Sequence, residues 1–160
     1  MEVIRKRWLA FIVLCTGSLM IVLDSTIVNV ALPSIRNDLH LSEASLAWVV
    51  NAYLLTFGDF LLLSGRLGDI FGHRKLFALG LVVFCTASLL CGIAPSQVWL
   101  VIARAVQGPG GAVVSAVGLS LMMNLFTEQK ERAKAMGIYG FVAAGGGSVG
   151  VLLAGFLVVR

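Results

Sequence analysis

Three ionisable side chains stand inside runs of otherwise apolar residues. They are Asp24 in "MIVLDSTIV", Asp59 in "LLTFGDFLLL" and Arg104 in "VWLVIARAV". A charge at bilayer depth costs about 2.5–3.5 kcal/mol on insertion scales, so it is expected to face a partner, a cavity or a solute path. A second concentration of polar chemistry is "SGRLGDIFGHRKLF", Ser64 to Phe77. It sets Arg66, Asp69, His73, Arg74 and Lys75 among three glycines, Gly65, Gly68 and Gly72. Apolar runs flank it on both sides.

The elements that must carry these groups follow from composition. The chain of 160 residues is 59% hydrophobic and only 12% charged, with a mean hydropathy of +0.97. Soluble domains carry roughly 25% charged residues. A soluble core cannot absorb this much apolar surface, so the solvent is expected to be a lipid bilayer. Five segments are long and apolar enough to cross it: Trp8–Leu32, Leu46–Ser64, Leu76–Ala94, Val98–Met123 and Ala133–Val159. The expected fold is all-α, a polytopic membrane helical bundle. Pro33 is expected to close the first span, because proline disfavours helix in the residue before it. Ser42 is placed to cap the second span, and Pro95-Ser96 makes the turn before the fourth. The basic, then apolar start resembles a signal peptide. Its apolar run continues past Asp24 toward Leu32, however, and favours a retained span.

Lys and Arg sort by side. Arg5, Lys6, Arg7, Arg66, Arg74, Lys75, Lys130, Arg132 and Lys134 fall on one side of such a bundle, and only Arg36 and Arg160 on the other. The positive-inside rule places the first side, with the N-terminus, in the cytoplasm of a multi-pass cell-membrane protein. Asp59 lies seven residues before Arg66, about 10 Å above that side and near the same helix face. Asp24 and Arg104 both fall in the outer half and match in depth. Two readings stay open for them: a buried ion pair that locks two helices, or a site lining a solute or proton path. Asp59, on the neighbouring span, could compete for Arg104.

Small residues mark close contacts. Gly108, Pro109, Gly110, Gly111 and Ala112 follow Arg104, and the proline is expected to kink the span. Gly146, Gly150 and Ala154 form a small-xxx-small ridge on the fifth span. Cys15, Cys85 and Cys91 sit in apolar runs without metal or redox spacing and read as small apolar fillers. His40 and His73 have no partners at metal spacing, so no metal and no cofactor is expected. "GPGGA" and "GGGSVG" lie in apolar helices rather than after a strand, so they are not phosphate loops. No basic face remains to grip nucleic acid.

"GRLGDIFGHRK", Gly65 to Lys75, resembles the loop 2–3 signature of the major facilitator superfamily, through Gly65, Leu67, Asp69, Gly72 and Arg74. Ile70 and His73 stand where the family commonly has basic residues. "LDSTIVNVALPSI", "WVVNAYLLTF" and "RAVQGPGGA" resemble first-, second- and fourth-span motifs of its 14-spanner drug/proton antiporter branch. The resemblance implies an incomplete N-terminal transporter domain over residues 1–160. It implies proton-coupled efflux of drugs or other amphipathic solutes, with small-molecule solute and protons as partners. It gives Asp24 and Arg104 a place on the transport path. Gly65, Arg66, Asp69, Gly72 and Arg74 become a gating loop, with Asp69 pairing with an arginine. Arg104 would act through its bidentate fork. Missing C-terminal helices or a complementary chain would be needed for activity. The alternatives are a truncated non-transporting membrane fragment, or a superfamily member with another solute and coupling. The last is kept open by Val151 and Ala154, where the antiporter motif has proline and glycine. Asp59 stands where the branch generally has a small residue.

Overall fold

The computed structural model describes residues 2–158, so Val159 and Arg160, assigned above to the fifth span and the outer side, lie outside it. Five α-helices follow one another: α1 (Glu2–Asp38), α2 (Glu43–Phe71), α3 (His73–Gly92), α4 (Gln97–Leu125) and α5 (Gln129–Val158). Each is long and apolar enough to cross a membrane. No strand occurs among the described residues.

The helix ends follow local chemistry. Ser42 caps α2 by accepting a hydrogen bond from the Ser45 N–H at 3.2 Å. Ser96 does the same for α4, with the Trp99 N–H at 3.4 Å. α1 does not stop at Pro33 but runs on to Asp38. Proline frees only the carbonyl four residues back, that of Asn29, and Asn29 is exposed near the C-terminal end of the helix; the loss there is small. α4 likewise passes through Pro109 unbroken. The cytoplasmic hairpin expected after Ser64 is not a loop at all. α2 stays helical through Arg66 and Asp69 to Phe71, and α3 begins at His73. The reversal rests on Gly72 alone, at φ +87°, a conformation only glycine reaches without strain.

α4 is the central helix. It packs along both α2 and α3 and touches α1, whose main neighbour is α5. Glycine makes this possible. A Cβ on Gly108 would run into Tyr53 and Phe57 backbone on α2, and one on Gly110 into the backbone of Gly80 and Phe84 on α3. α4 can therefore lie against two helices at once. Gly146, Gly150 and Ala154 are buried on α5, the two glycines against Leu19, Val22, Leu23 and Thr26 of α1. At the charged end Trp8, Phe11 and Phe126 stack edge to face, with centroids 5.4–5.7 Å apart. Beside them Arg7 bonds Glu131 at 2.6 Å and ties α1 to α5. The outward faces stay apolar. Leu62, Ile70, Leu89, Phe141 and Leu152 are each more than 70% exposed, which suits lipid or further helices rather than water.

Candidate functional site at the Asp24–Arg104 network

Four helices converge on one buried polar cluster. Arg104 on α4 donates from Nη1 to Asp24 Oδ2 on α1 at 2.8 Å. The same nitrogen donates to Gln107 Oε1 at 2.6 Å. Gln107 Nε2 donates to the other carboxylate oxygen, Asp24 Oδ1, at 2.8 Å. Ser88 on α3 adds a 3.2 Å bond to that oxygen. The Arg104 guanidinium carbon lies 4.6 Å from the centroid of the Tyr53 ring on α2, within cation–π range. The Cys91 thiol closes the edge against Gln107 Oε1 at 3.8 Å.

Helical spacing explains why these groups meet. Arg104 and Gln107 are three residues apart, so they share a helix face one turn apart. Their amide–guanidinium pair presents a donor to each carboxylate oxygen of a single aspartate. The Arg104 and Asp24 side chains are only 4% and 12% exposed, and Gln107 is fully buried. Such a pair holds only if the remaining lone pairs and protons are also satisfied. Asp24 meets this with three donors. Arg104 Nε has no hydrogen-bond partner, and the Tyr53 ring is the neighbour that compensates the guanidinium face. The expected bidentate fork between Arg104 and Asp24 does not form. One nitrogen serves both acceptors, and the amide of Gln107 takes the second carboxylate oxygen. Asp24 borders a groove of about 380 Å³ between α1 and α3, walled by Leu19, Leu23, Ile27, Phe84 and Ser88. The acid is thus reachable from one side, while Arg104 and Gln107 are sealed behind it.

The other candidates lie elsewhere. Asp59 is exposed on α2 and has no hydrogen bond or ion pair among the described residues. It does not compete for Arg104. Its helix turns it away, because Tyr53, Thr56 and Phe57 are the residues that α2 presents to α4. At the charged end, Gly65 has open space around it, and Arg66 and Arg74 are exposed. Asp69 is paired not with an arginine but with His73, Oδ1 to Nε2 at 3.6 Å. The four-residue offset sets His73 one turn beyond Asp69 across Gly72, whereas Arg74 is turned outward. Pro109 is half-buried beside Gly108. Sequence reasoning passed over Gln107, Ser88 and Tyr53. Gln107 did carry a signal: an uncharged polar group one helical turn from a membrane-depth arginine. Ser88 and Tyr53 carried none, because nothing in their own helices marks the side facing Asp24.

A bundle of five membrane-length helices with a buried Asp–Arg pair between them defines a polytopic membrane protein. The sequence profile of the Major Facilitator Superfamily matches residues 14–160, and the chain belongs to this superfamily. It is 48% identical over 152 residues to the "Puromycin resistance protein pur8" of Streptomyces alboniger, covering 95% of this chain and 30% of that protein. It is 44% identical over 146 residues to the "Cephamycin export protein CmcT" of Amycolatopsis lactamdurans, covering 91% and 30%. It is 40% identical over 154 residues to the "Multidrug resistance protein Stp" of Mycobacterium tuberculosis, covering 96% and 29%. The chain thus spans about 30% of the length of these curated relatives.

Proposed function

We propose that these five helices are the N-terminal part of an efflux transporter for drugs or other amphipathic solutes, coupled to proton entry. The reading rests on one observation: Asp24, held by Arg104 and Gln107, is the buried network's charged member that borders an open groove. Relatives whose names describe resistance and export support the solute class.

In this reading a proton reaching Asp24 from the groove cancels the charge that Arg104 faces. The guanidinium keeps Gln107 and the Tyr53 ring but loses its anion, and the tie between α1 and α4 weakens. Loss of the proton restores it. That exchange is the coupling step, because the strength of the α1–α4 tie then depends on protonation. Transport itself needs a second body of helices, since alternating access closes and opens a cavity between two units. The close contact of Gly146 and Gly150 with α1, beside the buried Ala154, gives α5 a surface on which to shift. The Gly72 reversal, with Gly65, Arg66, Asp69 and Arg74 around it, steadies one conformation from the cytoplasmic side, where the basic residues place it.

The test uses a chimaera in which residues 1–160 replace the matching segment of a complete exporter. Efflux of a fluorescent cationic dye is followed against an imposed pH gradient. Asp24→Asn is expected to abolish gradient-driven efflux while leaving the protein inserted. Arg104→Lys is expected not to restore normal coupling, because an ammonium cannot lie flat on Tyr53 and reach both acceptors. An Asp24→Asn chimaera that still concentrates dye with unchanged pH dependence would reduce the network to a helix lock.

A further inference from the structure

Three charged side chains lie more than one helical turn inside an apolar span. Two of them, Asp24 and Arg104, hold each other. The third is Asp59. It is exposed on α2 and has neither a hydrogen bond nor an ion pair among the described residues. Its neighbours one turn away on the same helix are Leu55, Thr56, Leu62 and Leu63. The three leucines are more than half exposed, and the Thr56 hydroxyl donates to the carbonyl of Ala52 at 2.9 Å. Asn51, about two turns back on the same face, is also exposed and without a partner among the described residues. Thr16 and Thr86, exposed on α1 and α3, differ: they donate to carbonyls of their own helices at 2.9 and 2.8 Å. The outward face of α3 differs too, with Leu79, Val82, Leu89 and Ile93 exposed and no charged group between them. That face suits lipid. The face of α2 is apolar but interrupted by two unsatisfied polar groups.

Asp59 stands five residues before Ser64, where the apolar run ends. It is therefore about 7 Å inside that run, below the level of the lipid headgroups. A carboxylate facing hydrocarbon there is costly and calls for a partner. Gly58 beside it leaves open space, since nothing lies within 4 Å of the position a Cβ would take. A small residue of this kind lets a second helix approach closely, and amide side chains such as that of Asn51 bond across helices. A second copy of the chain docking symmetrically through this face would set Asp59 against Asp59, like charge against like. A helix of opposite charge removes that conflict. The chain matches only 30% of the length of its curated relatives, and the rest of such a protein is long enough to supply one. We propose that the Asn51–Asp59 face of α2 is the docking surface for a further membrane helix, one that carries an arginine or lysine at the depth of Asp59. The proposal rests on the reading of this chain as part of a larger transporter, but not on what is moved or how movement is coupled.

The test uses the 160-residue chain and a synthetic membrane helix of about 20 leucine and alanine residues. The helix carries one arginine, placed to match the depth of Asp59. Association is followed by Förster transfer between the two in phosphatidylcholine vesicles. The arginine helix should bind about 5- to 30-fold more tightly than the same helix without it, the range for a polar contact between membrane helices. Glutamate in place of the arginine should give no gain. Asp59→Asn should remove most of the preference for arginine. Asp38→Asn, which removes the same charge from an exposed position past the apolar part of α1, should leave the preference unchanged. Equal affinity for the arginine and apolar helices, an undiminished preference in Asp59→Asn, or an equal loss in Asp38→Asn would each overturn the proposal. So would displacement of the helix by micromolar tetraphenylphosphonium, which would make Asp59 a contact for cationic solutes instead. No transport is measured, so a chimaera that fails to pump leaves a docking result standing, and a failure to dock leaves the Asp24 experiment untouched.

Discussion

The Asp24 network and the Asp69 reversal use the same residue types in opposite surroundings. Asp24 is 12% exposed, receives three donors and faces a guanidinium at 2.8 Å. Asp69 is 73% exposed and has one ion partner, a histidine, at 3.6 Å. In the first region burial makes the charges interdependent: removing either partner leaves the other without its counter-charge in a buried site. In the second, water screens the charges, and the backbone conformation of Gly72 carries the geometry. The comparison separates two kinds of constraint. One is electrostatic and sits between helices; the other is conformational and sits within the chain.

The contrast breaks most visibly at Arg104. Arg104→Met leaves Asp24 buried beside Gln107 and Ser88 without its cation, a loss of about 3–5 kcal/mol for a broken buried pair. Unfolding of the detergent-solubilised chain, followed by far-ultraviolet circular dichroism, should show it. Adding Asp24→Leu should recover much of the loss, since replacing a whole buried pair is often close to neutral. A double variant as unstable as the single one would mean that Arg104 acts through Tyr53 rather than through Asp24.

A smaller effect is expected at the reversal. Gly72→Ala puts a Cβ at φ +87° and should cost about 1–2 kcal/mol in the same unfolding assay. Space is not the reason, because nothing lies within 4 Å of that position. Gly65→Ala, also in open space but helical, should be neutral or slightly stabilising. Equal costs at the two positions would remove the conformational argument.

The smallest effect on stability is expected at Asp69. Asp69→Asn should change unfolding by less than about 0.5 kcal/mol, as exposed substitutions usually do. In a complete relative carrying this region it should slow transport while leaving equilibrium solute binding nearly intact. A large loss of binding affinity with normal cycling would place Asp69 on the solute path and erase the distinction between the two regions.

Much of this molecule was legible in one dimension. Five spans, the sorting of basic residues to one end and the Ser42 cap depend on hydropathy, charge and hydrogen bonding within a few residues, and such local terms survive without tertiary contacts. The pairing of Asp24 with Arg104 was half legible. Residue counting put them at one depth, but depth does not give azimuth, so Asp59 could not be set aside until α2 was seen to present Tyr53, Thr56 and Phe57 to α4. The length of α2 past Ser64 was misread because glycine and charge clusters usually mark loops; within a helix that leaves the membrane they cost little, and only Gly72 needed its special φ.

What the sequence alone determined was the solvent, the number of crossings and which side chains could not be left alone in lipid. What only the tertiary structure decided was who accompanies them. Gln107, Ser88 and Tyr53 come from three helices, and they meet because Gly108 and Gly110 let α4 approach α2 and α3 closely. The physical reason is the range of the interactions. Hydropathy acts along the chain and can be summed over a window. A hydrogen bond of 2.8 Å requires an azimuth and a separation that are set by packing between helices, and no single helix carries that information.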